Sequence, residues 1–240
     1  MSVPGSSDSP RSPDTPAFPY PSYPPPPPAP IYLDDHLIVV DKPAGLLSVP
    51  GRGDDKQDCL VARLHAAWPD ALTVHRLDMG TSGLMVFARD AATQSALSLA
   101  FAERRVRKQY EAVVDGVPAP VDPDAQGWSR IDLPLIADWP RRPLQKVCHE
   151  QGKASTTLWR VMAPEPLWAG TRVALMPITG RTHQLRVHLL ALGHVILGDA
   201  LYAEAGALAR APRLLLHART LAFDHPVTHA PLRFDCAPPF

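Results

Sequence analysis

A histidine, an arginine and an aspartate fall within four residues at His75-Arg76-Leu77-Asp78, and Gly80-Thr81-Ser82-Gly83 follows before an apolar run at 84–88. Two glycines and two hydroxyl residues suit a tight loop at a strand end, where functional side chains are commonly displayed. A carboxylate there is a candidate for catalysis, although an Asp before a polar turn is more commonly just a turn or cap residue. A second stretch, Thr179-Gly180-Arg181-Thr182-His183-Gln184-Leu185-Arg186, opens a predicted helix. An arginine at a helix N-terminus adds fixed charge to free N–H groups, a place to hold a carboxylate or phosphate. The alternative is a solvated first turn. Arg104-Arg105-Val106-Arg107-Lys108-Gln109-Tyr110 puts four cations before an aromatic. Cations and a ring can grip a phosphate backbone and stack a base, or the cations can simply complement a helix C-terminus. Asp138-Trp139-Pro140-Arg141-Arg142-Pro143-Leu144-Gln145-Lys146 is a proline-bounded loop that either contacts RNA or is merely solvated.

Other chemistries find no motif. There is no phosphate-cradling glycine loop, no nucleophile elbow and no zinc signature; His183 and His188 are five apart, with no H-E-x-x-H pattern. Neither a cofactor nor a metal is expected.

The elements that must position these residues read as follows. Apolar, β-branched residues at 37–40 predict a buried strand ending at Asp41-Lys42-Pro43. Strands are also predicted over 84–88, 110–114, 155–161 and 172–176, with short apolar runs at 214–216 and 221–223. Asp90 reads as the cap of a helix over 91–105, and a second helix is predicted over 182–192 with Gly193 as its stop. Residues 118–130 read as loop. Strands outnumber helices without strict alternation, which favours an α+β fold with a mostly antiparallel sheet over a doubly wound parallel one.

Composition sets the outer bounds. Of 240 residues, 24 are Lys or Arg and 24 are Asp or Glu, so any nucleic-acid contact must come from local clusters rather than total charge. Arginine outnumbers lysine 19 to 5, which suits planar contacts with phosphates and bases but also fits a GC-rich coding bias. Twelve of the 29 prolines lie in residues 1–30, a segment too poor in apolar side chains to offset its ordering entropy and read as a disordered tail. No apolar stretch approaches the length of a membrane helix, and no signal-peptide core follows the N-terminus. Three scattered cysteines form neither a disulfide framework nor a zinc knuckle, which points to a reducing, cytoplasmic setting.

The first stretch, with Thr81-Ser82-Gly83-Leu84 completing it, resembles the signature of the RluA family of pseudouridine synthases. Three further segments are similar to that family in the same order: Asp41-Lys42-Pro43-Ala44-Gly45-Leu46, Lys108-Gln109-Tyr110, and residues 179–186 followed by Gly198-Asp199. The segments 134–140 and 142–148 resemble its dual-specificity members in particular. The resemblance spans 31–240 and implies a pseudouridine synthase catalytic domain with flanking helices and a central RNA-binding cleft, without a preceding S4 domain. It implies isomerisation of a uridine in a structured RNA stem-loop, with the anticodon stem-loop of certain tRNAs and a 23S rRNA hairpin as substrates, by a monomer without a cofactor. A catalytically inactive RNA-binding relative is the alternative. By the same resemblance Asp78 is the essential carboxylate, Arg181 its charged partner, and Tyr110 the ring that stacks on the uracil. Arg76 fills the space of the flipped base, and Arg141, Arg142 and Lys146 contact RNA phosphates.

Overall fold

A computed structural model describes residues 27–240; the proline-rich segment lies outside the described residues except for its last four, of which Pro30 already opens a strand. In chain order the strands and helices are β1 (Pro30–Leu33), β2 (Leu37–Lys42), α1 (Leu60–His65), β3 (Leu72–Thr73), β4 (Ser82–Ala88), α2 (Ala91–Ala102), β5 (Arg107–Asp115) and β6 (Ser129–Asp132). There follow β7 (Leu135–Ala137), β8 (Gln145–Val147), β9 (Thr156–Glu165), β10 (Gly170–Pro177), α3 (Gln184–Ala191), α4 (Ala205–Ala209), β11 (Leu216–Asp224) and β12 (Pro231–Asp235).

Among the described residues, ten strands form one mixed sheet whose main path runs β1-β2-β4-β11-β5-β10-β9-β6, with β12 alongside β11 and β3 alongside β4. Every pairing is antiparallel except β4 with β11, where Ser82 and Gly83 meet His217 and Ala218. The expected α+β architecture is the one found. β7 and β8 stand apart as a hairpin carrying the loop at 138–144.

The side chains of β2 and β4 explain why they sit at the centre. Both strands are apolar on both faces and buried on both. Ile38, Val40, Met85 and Phe87 pack with α1 on one face, while Leu37, Val39, Leu84 and Val86 pack with α2 on the other. Each such side chain contributes about 1.5–3 kcal/mol on burial. A third core joins β5, β9 and β10 to α3, and Tyr110 packs against both it and the α1 core.

Two helix ends differ from the sequence reading for local reasons. α2 is capped as expected, with the Asp90 carboxylate accepting from Thr93 N, but it stops at Ala102 because Arg104 turns left-handed at φ 62°. α3 starts two residues late because His183 is left-handed at φ 55°. The Gln184 side chain seals that turn by accepting from Thr179 Oγ1 and Arg181 N.

Candidate active site

Asp78 sits on a loop fixed from below by the segment that follows β2. Ser48 Oγ donates to Leu77 O (2.7 Å) and accepts from Leu77 N (3.0 Å). Gly45 N donates to Met79 O, and the ammonium of the fully buried Lys42 reaches the carbonyls of Pro43, Leu46 and Met79 at 2.8, 2.7 and 3.2 Å. Burial, then the nearby Arg213, pull the Lys42 pKa down to about 7, against the opposing charges of Asp78 and Asp41. Thr81 N closes the turn onto Asp78 O. The backbone on both sides of the carboxylate is thus held, while its side chain faces a cleft of about 480 Å3.

Four elements line that cleft around Asp78: the end of α2, the start of β5, the turn after β10 and the first turn of α3. Arg186 Nη1 lies 3.5 Å from Asp78 Oδ2, and His183 Nε2 lies 3.9 Å from the same oxygen. The Arg186 guanidinium is held edge-on by the buried Asp199 carboxylate at 2.7 and 2.5 Å and stacks over the Tyr202 ring. Burial alone would lower its pKa, but the Asp199 hydrogen bonds and charge, then Asp78, outweigh burial and raise it. The cation is therefore permanent and preorganised toward Asp78. Burial holds His183 below the ordinary histidine range although Asp78 opposes it, so the ring facing Asp78 is neutral at neutral pH. Tyr110 lines the same cleft, and burial, then the Asp78 charge, raise its hydroxyl well above the usual tyrosine range. It remains a neutral phenol.

The partner expected for Asp78 needs correction. Arg181 precedes the left-handed turn at His183, so it lies outside α3; its Nε reaches Ala154 O at 3.4 Å and its side chain stays exposed at the cleft rim. The guanidinium that meets Asp78 is that of Arg186, inside the first turn of the helix. Asp199, Ser48 and Lys42 were likewise not assigned roles, although Lys42, Arg186 and Asp199 all lie in segments that carry the family resemblance.

The other expected contact residues divide in two. Arg76 is exposed at the lip of the cleft, beside Arg104 and the half-buried Lys108. Arg141 and Lys146 both reach the buried Asp138, at 2.6 and 3.6 Å, and Arg142 stacks 3.3 Å from the centroid of the exposed Trp139 ring. The hairpin bearing them is tied to the site by contact: Gln145 N donates to Tyr202 Oη (2.8 Å), and Tyr202 Oη lies 2.7 Å from His183 Nδ1.

A pinned carboxylate in a cleft rimmed by cations, with an aromatic phenol beside it, suits chemistry on an anionic substrate that carries a ring. Residues 36–191 match the sequence profile of the RNA pseudouridylate synthases, and the chain belongs to that family, on its RluA branch. It is 52% identical over 197 residues, 82% of this chain and 86% of the relative, to the dual-specificity RNA pseudouridine synthase RluA of Escherichia coli (strain K12). It is 49% identical over 210 residues, 88% of this chain and 98% of the relative, to the protein of that name from Yersinia pestis. Among solved structures, human RNA pseudouridylate synthase domain containing 1 superposes with a TM-score of 0.71 at 28% identity, over 88% of this chain and 84% of that one. The chain is thus an isomerase acting on RNA, and the reading as an inactive RNA-binding relative gives way. None of its helices among the described residues is long and apolar enough to cross a membrane.

Proposed function

We propose that the chain converts a uridine in a structured stem-loop to pseudouridine, with Asp78 as the catalytic carboxylate. The substrates in this reading are the anticodon stem-loop of certain tRNAs and a 23S rRNA hairpin. The dual specificity in the names of relatives about half identical to it supports that pair. Monomeric action in the cytoplasm fits the same reading.

The observation that carries it is the set of contacts around Asp78: backbone pinned by Ser48 and Lys42, charge faced by Arg186, cleft shared with Tyr110. The uridine leaves its stack, at a cost of a few kcal/mol that is least in a loop, and Arg76 occupies the space it vacates. Asp78 then either attacks C1′ or removes the 2′ proton; in both routes the N1–C1′ bond breaks. The Arg186 cation keeps the carboxylate ionised and aimed. The freed uracil turns against the Tyr110 ring and C5 bonds to C1′, which breaks the Asp78–C1′ ester in the first route or returns the proton from Asp78 to C2′ in the second, and the C5 proton is lost as N1 gains one. Tyr110 assists at C5 only through a base or water, since its own hydroxyl holds its proton. The Arg142–Trp139 stack and the cations beside it grip the flanking strand, phosphates fixing position without reading sequence.

Tritium release from RNA labelled at uridine C5 tests the proposal, because C5 loses its hydrogen when it becomes the glycosidic carbon. Asp78→Asn is expected to lower turnover by at least about 10²–10⁴-fold while RNA affinity stays within a few-fold. An Asp78→Asn protein with ordinary turnover would sink the assignment. Release from an unrelated hairpin equal to that from the anticodon stem-loop would remove the substrate reading and leave the chemistry.

A further inference from the structure

Asp41, His217 and Cys236 stand 176 and 19 residues apart along the chain, yet their ligand-bearing atoms all lie within 4.8 Å of one another. They meet where the short pairing of β4 with β11 gives way to that of β12 with β11. Asp41 is on β2, His217 is on β11 opposite Ser82, and Cys236 follows β12 with its N–H on Arg219 O. Side chains alternate along a strand. Asp41 therefore shares the face of Leu37 and Val39, which packs on α2, while Lys42 shares the face that supports the Asp78 loop. Cys236 packs against that same α2 core. The cluster thus belongs to the packing between the sheet and α2, none of its three residues lines the catalytic cleft, and no step of uridine isomerisation uses it.

Its polar bookkeeping is incomplete. Asp41 Oδ1 has no close hydrogen-bond partner, and the donor that leans on the carboxylate is the Cys236 thiol, a weak one that offsets little of the cost of burying a carboxylate oxygen. Neither cation that feels the Asp41 charge settles it, Lys42 being committed to the carbonyls of Pro43, Leu46 and Met79. Arg213 senses the Asp41 charge but donates to Ser82 Oγ at 2.5 Å and to Leu214 O at 3.1 Å. The fully buried His217 has both ring nitrogens occupied, and Nδ1 lies 2.8 Å from Ser82 Oγ, which would accept the ring proton once a metal displaced it from Nε2, as the outer partner of a liganding imidazole does. Its Nε2 has a longer contact, 3.2 Å to Cys236 O, which a stronger ligand bond could replace.

We propose that Asp41, His217 and Cys236 form a structural site for a thiophilic divalent cation of the zinc type. A thiolate, an imidazole and a carboxylate are a zinc donor set rather than one for magnesium or calcium, and water completes the tetrahedron. Metal–ligand bonds of about 2.0–2.3 Å put tetrahedral ligand atoms roughly 3.3–3.8 Å apart, so groups now within 4.8 Å of one another must close by at most about 1.5 Å. Binding replaces the thiol proton with the metal and releases that proton to solvent. The bound ion would fasten β2, β11 and the segment after β12 to one another, next to Ser82, four residues beyond Asp78.

The test uses the full chain after dialysis against a chelator. Titration with Co2+ is expected to give a thiolate-to-cobalt charge-transfer band that saturates at one equivalent and is displaced by Zn2+. Cys236→Ser abolishes the band, Cys148→Ser leaves it, and Ser82→Ala weakens affinity by roughly 10–100-fold, with circular dichroism confirming that each variant is folded. Should the ligand variants not fold, alkylation of the unaltered protein decides: Zn2+ is expected to slow modification of Cys236 and not that of Cys148. No thiolate band at one equivalent, a band that survives Cys236→Ser, or unchanged alkylation of Cys236 would each overturn the site.

Discussion

Two arginines five residues apart in one motif carry different loads, and the difference is measurable. Arg186 is buried between Asp78 and Asp199, whereas Arg181 is exposed at the rim. Arg186→Ala leaves the buried Asp199 without its counter-ion, only the Leu201 and Tyr202 N–H groups still donating to it, which costs up to about 3–5 kcal/mol, and it removes the cation facing Asp78. Urea unfolding and single-turnover assays should show both losses together. Arg181→Ala should alter stability by less than about 0.5 kcal/mol and act on RNA affinity; a loss of chemistry equal to that of Arg186→Ala would reverse the assignment. His75 supplies a pH prediction. Its Nε2 accepts from Val86 N at 3.1 Å, and burial, then Lys108, pull its pKa down to about 3. The unfolded chain binds a proton near pH 6.5 that the native ring refuses. Stability should therefore fall as pH drops from about 6.5 toward 3, and His75→Gln should flatten that slope in denaturation measured across the window. The residue types were legible in the sequence: a carboxylate and a tyrosine in separate motifs do share one cleft. Which arginine faces the carboxylate was not, because the choice turns on His183 adopting a left-handed backbone that side-chain spacing does not encode.

At the scale of elements, the site depends on how closely β4 approaches β11. Gly83 lies on β4 at φ 115°, and a Cβ there would come within 2.4 Å of Ala218 O and 2.5 Å of Ala218 N. Backbone cannot yield as a side-chain tip can. Overpacking and left-handed strain together predict a loss of roughly 2–4 kcal/mol for Gly83→Ala, or about 4–16 °C in Tm at this chain length. Because Asp78 precedes that junction, turnover of the folded fraction should fall as well; an unchanged melting temperature would show that the strands can part without cost. The glycine was legible as part of a polar turn, but its role as a spacer between parallel strands needs the pairing of residues 135 apart. The same limit explains what was missed elsewhere. Continuous apolar runs announced β2 and β4, and the Asp90 cap announced α2. α1, with six residues, and β12, which alternates exposed and half-buried side chains at the sheet edge, carry too little periodic signal. Cys236 likewise reads as an isolated thiol until β12 brings it to Asp41 and His217.

For the whole molecule, a formal charge of zero conceals a polarised surface. Arg76, Arg104, Lys108 and Arg181 gather around the mouth of the cleft, and the hairpin adds Arg141, Arg142 and Lys146 along a path tied to the site through Tyr202. Many of the remaining charges are paired locally, as in Arg63–Asp58, Arg89–Asp70 and Arg233–Asp235, and contribute little field at a distance. RNA should therefore meet a cationic track on an otherwise neutral body. Each phosphate neutralised adds about −0.7 to −0.9 to the slope of log affinity against log salt. Four such contacts predict a loss of roughly 50–150-fold between 50 and 200 mM salt, far steeper than a chain of zero net charge would otherwise show. The hairpin variants separate the two kinds of grip. Arg142→Ala should make the slope shallower by about one contact's worth. Trp139→Ala should leave the slope alone and weaken binding at every salt concentration by about 1–3 kcal/mol, the worth of one stacked base. Fluorescence anisotropy with a labelled stem-loop across that salt range reads both at once. If both variants keep the parent affinity and slope, the hairpin is not part of the RNA track, and the cations at the mouth of the cleft must account for the grip by themselves.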